Sequence, residues 1–400
     1  MDRQVITIFG GSGFVGRHLV YRLAARGAEV RVASRNFGAA CRLKIAGDVG
    51  QVVPIQTDVT DAVQVANAVA GASAVINLVG IIYERGQHTF QRMHVDAALN
   101  VARASSNARV KRLVHMSALG ADINSPAEYG RSKAAGEKAV LETFKGAIII
   151  RPSVIFGADD NFFNLFAGLM RFTPFMPVFG APAFPKVSFG SKGGVDINFF
   201  GKGGCQFQPV FVCDIAEAIA RVLEEGASEG ITYELGGPRV YSFKEIIELL
   251  LAVTERKRIF VPIPYGIAAA QAIFLQLLPK PLLTLDQVNL LRVDNVVSGQ
   301  APGFDDLDIC TKAAEAILPT YLHRFRKPKH QDIVGPNFFT DAARIYISQR
   351  ANIDDYFNLP YDSNIGVTKS ENRSAIGIKA DAVRIVGREG IRLVTNRRTN

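Results

Sequence analysis

The clearest chemical pattern in this sequence is a tyrosine and a lysine four positions apart, Tyr129 and Lys133. Residues i and i+4 lie on one face of a helix, so we expect the ammonium group to lower the pKa of the neighbouring phenol. An unperturbed phenol has a pKa of about 10 and exchanges protons poorly at neutral pH. Ser117, twelve positions before Tyr129, could hydrogen-bond a substrate carbonyl. The three residues predict a proton-transfer site, although Tyr-x-x-x-Lys alone is also common in helix-surface pairs.

A second pattern, the spacing G-x-x-G-x-x-G, lies between an apolar run at 5–9 and a helical pattern at 14–26. We expect the first glycine to make a tight turn, the second to let the backbone approach a pyrophosphate, and the third to let the helix pack closely. The helix N-terminus would then present its N–H groups and positive dipole to the phosphates. The spacing alone is weak evidence, but its place between strand and helix favours a dinucleotide site. The predicted cradle comprises Gly10, Gly11, Ser12, Gly13, Phe14, Val15 and Gly16.

The end of the second predicted strand, 29–35, indicates which dinucleotide binds. Ser34 and Arg35 occupy the place where an NAD site carries a carboxylate for the ribose 2′-hydroxyl. A carboxylate would repel a 2′-phosphate, whereas a guanidinium can bind it with two hydrogen bonds. Arg17, just after the third glycine, could supply a second cation, unless both arginines are ordinary solvated surface charges. We therefore predict NADP(H) as the cofactor, with NAD(H) less favoured.

Further predicted strands at 52–58, 74–80 and 112–117 alternate with helical patterns at 62–70 and 95–106. This alternation predicts an α/β fold: a doubly wound parallel sheet of the NAD(P)-binding Rossmann type, covered by helices on both faces. Ligands of such sheets bind at the carboxyl ends of the strands.

Polar groups at those strand ends extend the predicted cofactor site. Asp58 could bind the adenine amino group, while Asn77 and Gly80 could line the nicotinamide ribose. Tyr129 and Lys133 would lie at the same edge of the sheet. The other predicted cofactor-binding residues are Val59, Val79, Pro152 and Ser153.

Several longer blocks of sequence narrow the family. They are SALGA at 117–121, YGRSKAAGE at 129–137, RPSVIFG at 151–157 with Asp160 and FFN at 162–164, QPVFV at 208–212 with Asp214, YELGGP at 233–238 and DQV at 286–288. With the glycines, Ser117, Tyr129 and Lys133 they make the chain resemble the extended short-chain dehydrogenase/reductase superfamily. More narrowly, about residues 4–328 resemble the nucleotide-binding accessory subunits of respiratory complex I and their bacterial homologues. This resemblance implies a tightly held NADPH and a structural or assembly role beside the quinone-reducing arm, without implying turnover.

The length and composition of the chain predict more than one domain. With 400 residues, of which 48% are hydrophobic, the chain exceeds an average single domain. We predict an NAD(P)-binding domain at 1–157 and, at 158–328, a smaller α/β substrate or docking domain that returns strands to the sheet. The segment 329–400 is predicted to be a separate β-rich tail or fused segment, vaguely similar to phage structural proteins. Its period-two patterns at 375–386 and 391–394 predict a β-ribbon.

Charge and cysteine usage limit the partners and the compartment. The formal net charge of +9 favours acidic partners, such as nucleotide phosphates or anionic lipid. The sequence has no basic runs interleaved with aromatic residues, so we predict no nucleic-acid binding. It also has no zinc-ligand spacing, so we predict no metal binding. The four cysteines show no C-x-x-C pair and suit a reducing compartment. The first strand begins by about residue 4, which favours a bacterial cytoplasmic protein without a signal or transit peptide.

Two apolar stretches bear on membrane contact. The stretch at 263–278 is shorter than the roughly 20 residues that a transmembrane helix needs. A second, at 162–189, is rich in phenylalanine and interrupted by prolines. Each stretch could be ordinary core or an apolar face that docks on lipid or on a partner.

These patterns predict an NADP(H)-binding accessory or assembly protein of respiratory NADH:quinone oxidoreductase, peripheral on the inner face of the plasma membrane. If the protein turns over, Tyr129 would transfer the proton, Lys133 would tune it and hold the nicotinamide ribose, and Ser117 would position a carbonyl. The alternative is a free NADPH-dependent reductase, epimerase or dehydratase acting on a carbonyl, sugar-nucleotide or quinone-related substrate. A third hypothesis is a redox-sensing regulator that binds the nucleotide without catalysing a reaction.

Overall fold

The computed structural model describes residues 4–182, 184–189, 195–224, 229–278, 281–327, 344–348 and 375–379. The chain divides into two compact units, Met1–Lys327 and Pro328–Asn400. The first unit contains every residue predicted to bind the cofactor, so its architecture positions the site.

Strands and helices alternate through the first part of the chain, as the sequence predicts. The strands are β1 Val5–Phe9, β2 Glu29–Ser34, β3 Val52–Gln56, β4 Ala74–Asn77, β5 Arg112–Met116, β6 Ile148–Pro152, β7 Ile155–Phe156, β8 Phe175–Phe179, β9 Lys186–Phe189, β10 Val195–Asn198, β11 Gln206–Phe207, β12 Val210–Phe211, β13 Thr232–Leu235, β14 Tyr241–Ser242, β15 Ile259–Ile263, β16 Arg344–Ser348 and β17 Ala375–Lys379. The α-helices are α1 Phe14–Ala25, α2 Phe37–Cys41, α3 Ala62–Val69, α4 Ala97–Asn107, α5 Glu128–Thr143, α6 Phe163–Phe172, α7 Val212–Val222, α8 Phe243–Thr254, α9 Tyr265–Leu275, α10 Leu285–Leu290 and α11 Ala314–Leu322. Short 3₁₀ helices span Arg42–Ala46, Asp305–Leu307 and His323–Phe325, and a π-helical turn spans Gln91–Asp96.

Seven strands form one parallel sheet in the order β13-β6-β5-β4-β1-β2-β3. Strand β1 pairs with β2 on one side and with β4 on the other, so the strand order reverses beside β1. Parallel neighbours need crossover connections, which the helices supply. The carboxyl ends of these strands therefore meet at one edge of the sheet. The predicted α/β doubly wound sheet is confirmed, and β13 extends it by pairing with β6.

Successive side chains of each strand are buried on opposite faces of this sheet. In β6, Ile148 and Ile150 pack in the same core as Leu19 of α1 and Ile219 of α7. Ile149 between them packs in the core on the other face, beneath α3, α4 and α5. Burial on both faces explains why the strands read as continuous apolar runs rather than as an alternation.

A third core, beyond β6, is built largely from phenylalanine. The ring centroids of Phe162 and Phe166 are 5.3 Å apart, and those of Phe166 and Phe243 are 5.4 Å apart, both pairs meeting edge to face. The apolar stretch at 162–189 is therefore core along much of α6. Phe172, the last residue of that helix, and Phe175, the first residue of β8, are instead exposed.

The apolar stretch at 263–278 forms the end of β15 and the helix α9. Only Ala268 and Ala272 of α9 are buried, whereas Ile273 and Phe274 are exposed. Within the described residues, no helix is long and apolar enough to cross a membrane. The stretch is thus a surface helix with an apolar outer side.

Two boundaries differ from the sequence prediction. The strand predicted at 74–80 ends at Asn77, because the next residues turn away from the sheet. The helix predicted at 95–106 begins at Ala97, behind the π-helical turn Gln91–Asp96, in which His94 is buried among polar partners. A buried polar residue in this turn interrupts the helical pattern of apolar residues.

In the second unit, β17 pairs antiparallel with β16. The ribbon predicted from 375–386 and 391–394 is described only over β17, and 391–394 lies outside the described residues. The domain boundaries 1–157, 158–328 and 329–400 stay predictions.

Ending the chain at Lys329 should leave a protein that folds and melts near the temperature of the full chain. Every strand of the large sheet and all three cores precede Pro328. We expect a change in Tm below about 4 °C, equivalent to roughly 1 kcal/mol or less. Thermal unfolding followed by circular dichroism measures this.

A chain ending at Ala313 is the matched control. It lacks α11, whose Leu318 and Leu322 are buried in the third core, so it should unfold at a clearly lower temperature. Aggregation of the Lys329 form would show that 330–400 packs on the first unit and that the predicted boundary is wrong.

Candidate functional site

The turn after β1 has the geometry that a dinucleotide cradle requires. Gly10 has a φ of +76°, a conformation that favours glycine. A Cβ on Gly16 would lie 2.5 Å from backbone atoms of Gly10 and Gly11, so α1 packs directly on the turn. Gly13 precedes α1 as its N-cap without a side-chain cap, and the first N–H groups of the helix begin at the carboxyl end of β1. The roles predicted for the first and third glycines agree with this packing.

Polar groups follow β2, as predicted. The hydroxyls of Ser12 and Ser34 are 2.7 Å apart, which joins the glycine turn to the end of β2. Arg35 Nη1 lies 2.8 Å from His88 Nε2. The pKa of Asp58, after β3, is lowered mainly by the amide of Thr60 and also by the charges of Arg35 and His88. Arg35 therefore lies near the predicted adenosine end.

The second cation predicted for that end, Arg17, is used differently. Its Nη2 lies 3.1 Å from a carboxylate oxygen of Asp159, in the segment after β7. The ion pair compensates the charge of Arg17, so Arg35 is the better-placed cation for a 2′-phosphate.

The predicted Tyr129 and Lys133 lie on α5 at the ends of β4 and β5. Lys133 is buried, and its Nζ donates a hydrogen bond of 3.2 Å to the carbonyl of Met116, the last residue of β5. The same Nζ is 6.0 Å from the centroid of the Tyr129 ring and would be 3.0 Å from a Cβ on Gly80. Lys133 thus lies beside Gly80, where the nicotinamide ribose was predicted.

Ser117 directly follows β5 and is buried. Its Oγ has no hydrogen-bond partner among the described residues. Buried hydroxyls are normally paired, and an exception at the carboxyl end of a strand is what a site for a carbonyl or amide ligand leaves. The residues present therefore fit a dinucleotide and a carbonyl-type group at this edge.

The electrostatics of the pair correct one prediction. Burial raises the pKa of Tyr129 to about 12 and lowers the pKa of Lys133 to about 8, the latter partly opposed by the charge of Glu137. The prediction that Lys133 lowers the pKa of Tyr129 is wrong, because burial of the phenol determines its pKa and raises it. At neutral pH the phenol is protonated and can donate a hydrogen bond, but with a pKa of about 12 it is a weaker acid than an ordinary phenol.

Sequence reasoning missed His94, which fixes the position of α5. His94 Nε2 accepts the amide of Ile81 at 3.1 Å, and its Nδ1 lies 2.8 Å from Ser132 Oγ, which donates to the Tyr129 carbonyl. Burial, with a smaller effect of Lys133, lowers the pKa of His94 to about 3, so the ring is neutral with its proton on Nδ1. The sequence holds no signal for this role beyond the broken helical pattern.

Asp286 belongs to the DQV block that carries the family resemblance, and in the structure it caps α5. Its two carboxylate oxygens accept the amides of Glu128 at 2.6 Å and Tyr129 at 3.0 Å. A carboxylate at a helix N-terminus accepts hydrogen bonds from the free N–H groups and is stabilised by the positive end of the helix dipole. A residue of α10 therefore caps the helix that carries Tyr129.

Several predicted cofactor residues shape the strand ends instead of offering free groups. The Asn77 amide contacts His115 Nδ1 at 3.2 Å and accepts the Val79 amide at 3.1 Å. Ser153 Oγ donates to Asn295, and Val59 is core. The residues that do come together at the carboxyl edge are Gly10, Gly13, Ser34, Arg35, Asp58, Gly80, Ser117, Tyr129 and Lys133. Within the described residues, no group of three or more His, Cys, Asp or Glu side chains could hold a metal ion.

Replacing Lys133 with Met should stabilise the protein at pH 7 by up to about 3 kcal/mol, because the buried charge is removed. The folded pKa of Lys133, about 8, lies below its ordinary value of 10.5, so the unfolded chain holds this proton more tightly. The penalty is complete below pH 8 and disappears as the pH rises to about 10.5. Urea unfolding at pH 7 and pH 10 should therefore show the gain shrinking with pH.

Lys138→Met is the matched control, since Lys138 lies on the same helix with its side chain exposed. It should change the free energy of unfolding little at either pH. A Lys133→Met protein less stable than wild type at pH 7 would show that the bond to Met116 and the charge of Glu137 outweigh desolvation.

Comparison with known proteins places this geometry in a family. A model of the NAD dependent epimerase/dehydratase family matches residues 6–236. An NADPH-dependent quinone oxidoreductase of Escherichia coli, solved with NADPH, superposes with a TM-score of 0.58 at 19% identity, over 80% of this chain and 99% of that one. The predicted cofactor class, a nicotinamide dinucleotide, agrees with the family.

Two other relatives are more similar to this chain in sequence than that quinone oxidoreductase is. The mitochondrial NADH dehydrogenase (ubiquinone) 1 alpha subcomplex subunit 9 of Arabidopsis thaliana is 34% identical over 346 residues, which are 84% of this chain and 79% of that protein. The same subunit of Rattus norvegicus is 33% identical over 324 residues, 80% of each. The resemblance seen in the sequence is confirmed. The chain therefore belongs to the NAD dependent epimerase/dehydratase family, in the group that contains the alpha subcomplex subunit 9 proteins.

Proposed function

We propose that this protein is an NADP(H)-binding accessory or assembly subunit of a bacterial respiratory NADH:quinone oxidoreductase, in which the bound dinucleotide is mainly structural. The observation that carries the proposal is similarity to subunits of that enzyme over about four fifths of the chain. The intact glycine turn supports retention of a dinucleotide by such a subunit.

The choice of NADP(H) rests on the end of β2. Ser34 and Arg35 leave no carboxylate to bind a free ribose 2′-hydroxyl or to repel a 2′-phosphate. Arg35 lies close enough to Asp58 to influence its pKa, so its charge acts at the adenosine end. A guanidinium and a serine hydroxyl are suitable donors for a phosphate dianion.

A mainly structural role agrees with the chemistry of the pair on α5. The dinucleotide, when bound, would supply hydride chemistry at its nicotinamide. Around it Lys133 would donate to the ribose and Ser117 would donate to a carbonyl-type group. Tyr129, with its pKa raised to about 12, keeps its proton at neutral pH and accepts one poorly. The site is therefore better suited to binding and orienting a ligand than to repeated proton transfer.

Docking on the respiratory enzyme and the inner membrane face would use the exposed apolar side of β8 and β15. Phe175 pairs with Ile259 in that two-stranded sheet, and both side chains are exposed, as is Phe172. Arg171 and Arg258 lie near Arg256, whose pKa is lowered by partial burial and then by these two charges. Apolar side chains beside a cationic cluster suit an anionic membrane surface or the acidic rim of a partner subunit.

The second candidate is a free NADPH-dependent reductase, epimerase or dehydratase. The observation that favours it is the preserved group of Ser117, Tyr129 and Lys133, with the Ser117 hydroxyl lacking a partner among the described residues. Such a hydroxyl is available to a substrate carbonyl.

The cofactor choice can be tested with Arg35→Asp. The purified wild-type protein should bind NADP(H) more tightly than NAD(H). The substitution removes a charge-assisted hydrogen bond worth about 1.5–3 kcal/mol and adds repulsion, so the preference should reverse. Fluorescence titration with both reduced cofactors measures the ratio.

Lys111→Asp makes the same charge change at the opposite edge of the sheet, just before β5, and should leave the ratio unchanged. Equal affinity of the wild-type protein for both cofactors would contradict the choice of NADP(H).

The structural role can be tested in cells with Tyr129→Phe and Gly13→Val. Tyr129→Phe keeps the ring and should leave cofactor content and complex assembly nearly unchanged. A Cβ on Gly13 would already lie 3.1 Å from the Gly10 carbonyl, and the larger valine would block approach to a pyrophosphate, so Gly13→Val should lose both. Native gel electrophoresis of solubilised membranes shows whether the protein migrates with the respiratory complex.

Migration of the wild-type protein alone would contradict the accessory-subunit proposal. Failed assembly with Tyr129→Phe, at normal protein level and cofactor content, would instead favour the enzyme.

A further inference from the structure

The segment from Gly80 to Phe90, here named the strap, connects β4 to the π-helical turn and carries His88 at its tip. Arg85 and His88 exchange two backbone hydrogen bonds of 3.0 Å, which makes a tight turn with Gly86 at a φ of +55°. The Glu84 side chain accepts the amide of Phe90 at 2.6 Å and closes the base of the turn. The strap is thus an ordered projection rather than an unstructured loop.

The path of the strap crosses the dinucleotide cradle. Its ends lie by α5, where Ile81 donates to His94 and the Phe90 ring meets that of Tyr129 at 6.0 Å. Its tip instead touches Arg35, beyond β2. In the sheet, β1 lies between β4 and β2, so the strap spans two strand spacings, about 10 Å, across the carboxyl end of β1. The glycine turn begins at that end.

The contact at the tip has a defined hydrogen-bond direction. Arg35 Nη1 donates to His88 Nε2 at 2.8 Å, and an arginine offers only donors, so this imidazole nitrogen must be an acceptor. The facing charged groups are Arg35 from the end of β2 and Asp58 from the end of β3, whose pKa both Arg35 and His88 help to lower.

We propose that His88 is a second ligand of the adenosine 2′-phosphate and that it discriminates NADP(H) from NAD(H) together with Arg35. A phosphate dianion offers several charged oxygens that both side chains can reach together, whereas the 2′-hydroxyl of NAD(H) offers a single uncharged oxygen. On binding, a ring nitrogen of His88 donates a hydrogen bond to the phosphate in place of the contact with Arg35. This proposal rests on the proposed NADP(H) cofactor, and it adds a ligand from the strap to those that follow β2.

The experiment compares 2′,5′-ADP with 5′-ADP by isothermal titration calorimetry on the full chain. His88→Gln should weaken 2′,5′-ADP about fivefold to tenfold, since a glutamine amide cannot carry the positive charge that an imidazole can place beside the phosphate, and should leave 5′-ADP unchanged. His88→Lys should restore most of the affinity for 2′,5′-ADP.

Arg85→Gln, in the same turn and also exposed, is the control and should bind both ligands like the wild type. Thermal unfolding shows that each variant is folded. If His88→Gln weakens the binding of both ligands equally, or of neither, the role of His88 is overturned. The NADP(H) proposal still holds in that case if the wild-type protein prefers 2′,5′-ADP. A wild-type protein that binds both ligands equally overturns both.

Discussion

The close approach of α5 to its neighbours is the constraint on which the site depends. A Cβ on Gly136 would lie 2.2 Å from the His94 carbonyl, and one on Gly130 would lie 2.5 Å from Ser125 Oγ. The helix can be this near only because both positions lack a side chain. That proximity encloses Lys133 and the phenol of Tyr129, and their shifted pKa values follow from the enclosure.

The buried positive charge of Lys133 must be compensated by nearby polar groups, and α5 and its neighbours provide them. The ammonium of Lys133 has the Met116 carbonyl as acceptor and the charge of Glu137 one turn along the helix. Glu137 is itself held by two hydrogen bonds from Arg151 of β6, at 2.9 and 2.6 Å. Hydrogen bonds of this kind hold the side chains in fixed positions, whatever the cost of burying the ammonium group. Such rigidity suits a site that retains its ligand.

The sequence predicted the parts of this arrangement that are local. The glycine turn, the alternation of strands and helices, and Ser34 with Arg35 at the end of β2 depend on neighbours along the chain, and the structure has them in place. The raised pKa of Tyr129 depends on what covers the ring, which spacing cannot give. The contact of His88 could not be predicted either, since it joins the connections after β2 and β4, which are two strand spacings apart in the sheet.

The cap on α5 also sets an order on how the protein can assemble. Asp286 lies 158 residues beyond Glu128, whose amide it accepts, so the first turn of α5 stays incomplete until most of the chain has left the ribosome. The sheet strands up to β6 are synthesised long before and can pair among themselves. The cradle for the phosphates therefore forms early in biosynthesis, whereas the end of the site around Tyr129 is finished last, when α10 docks.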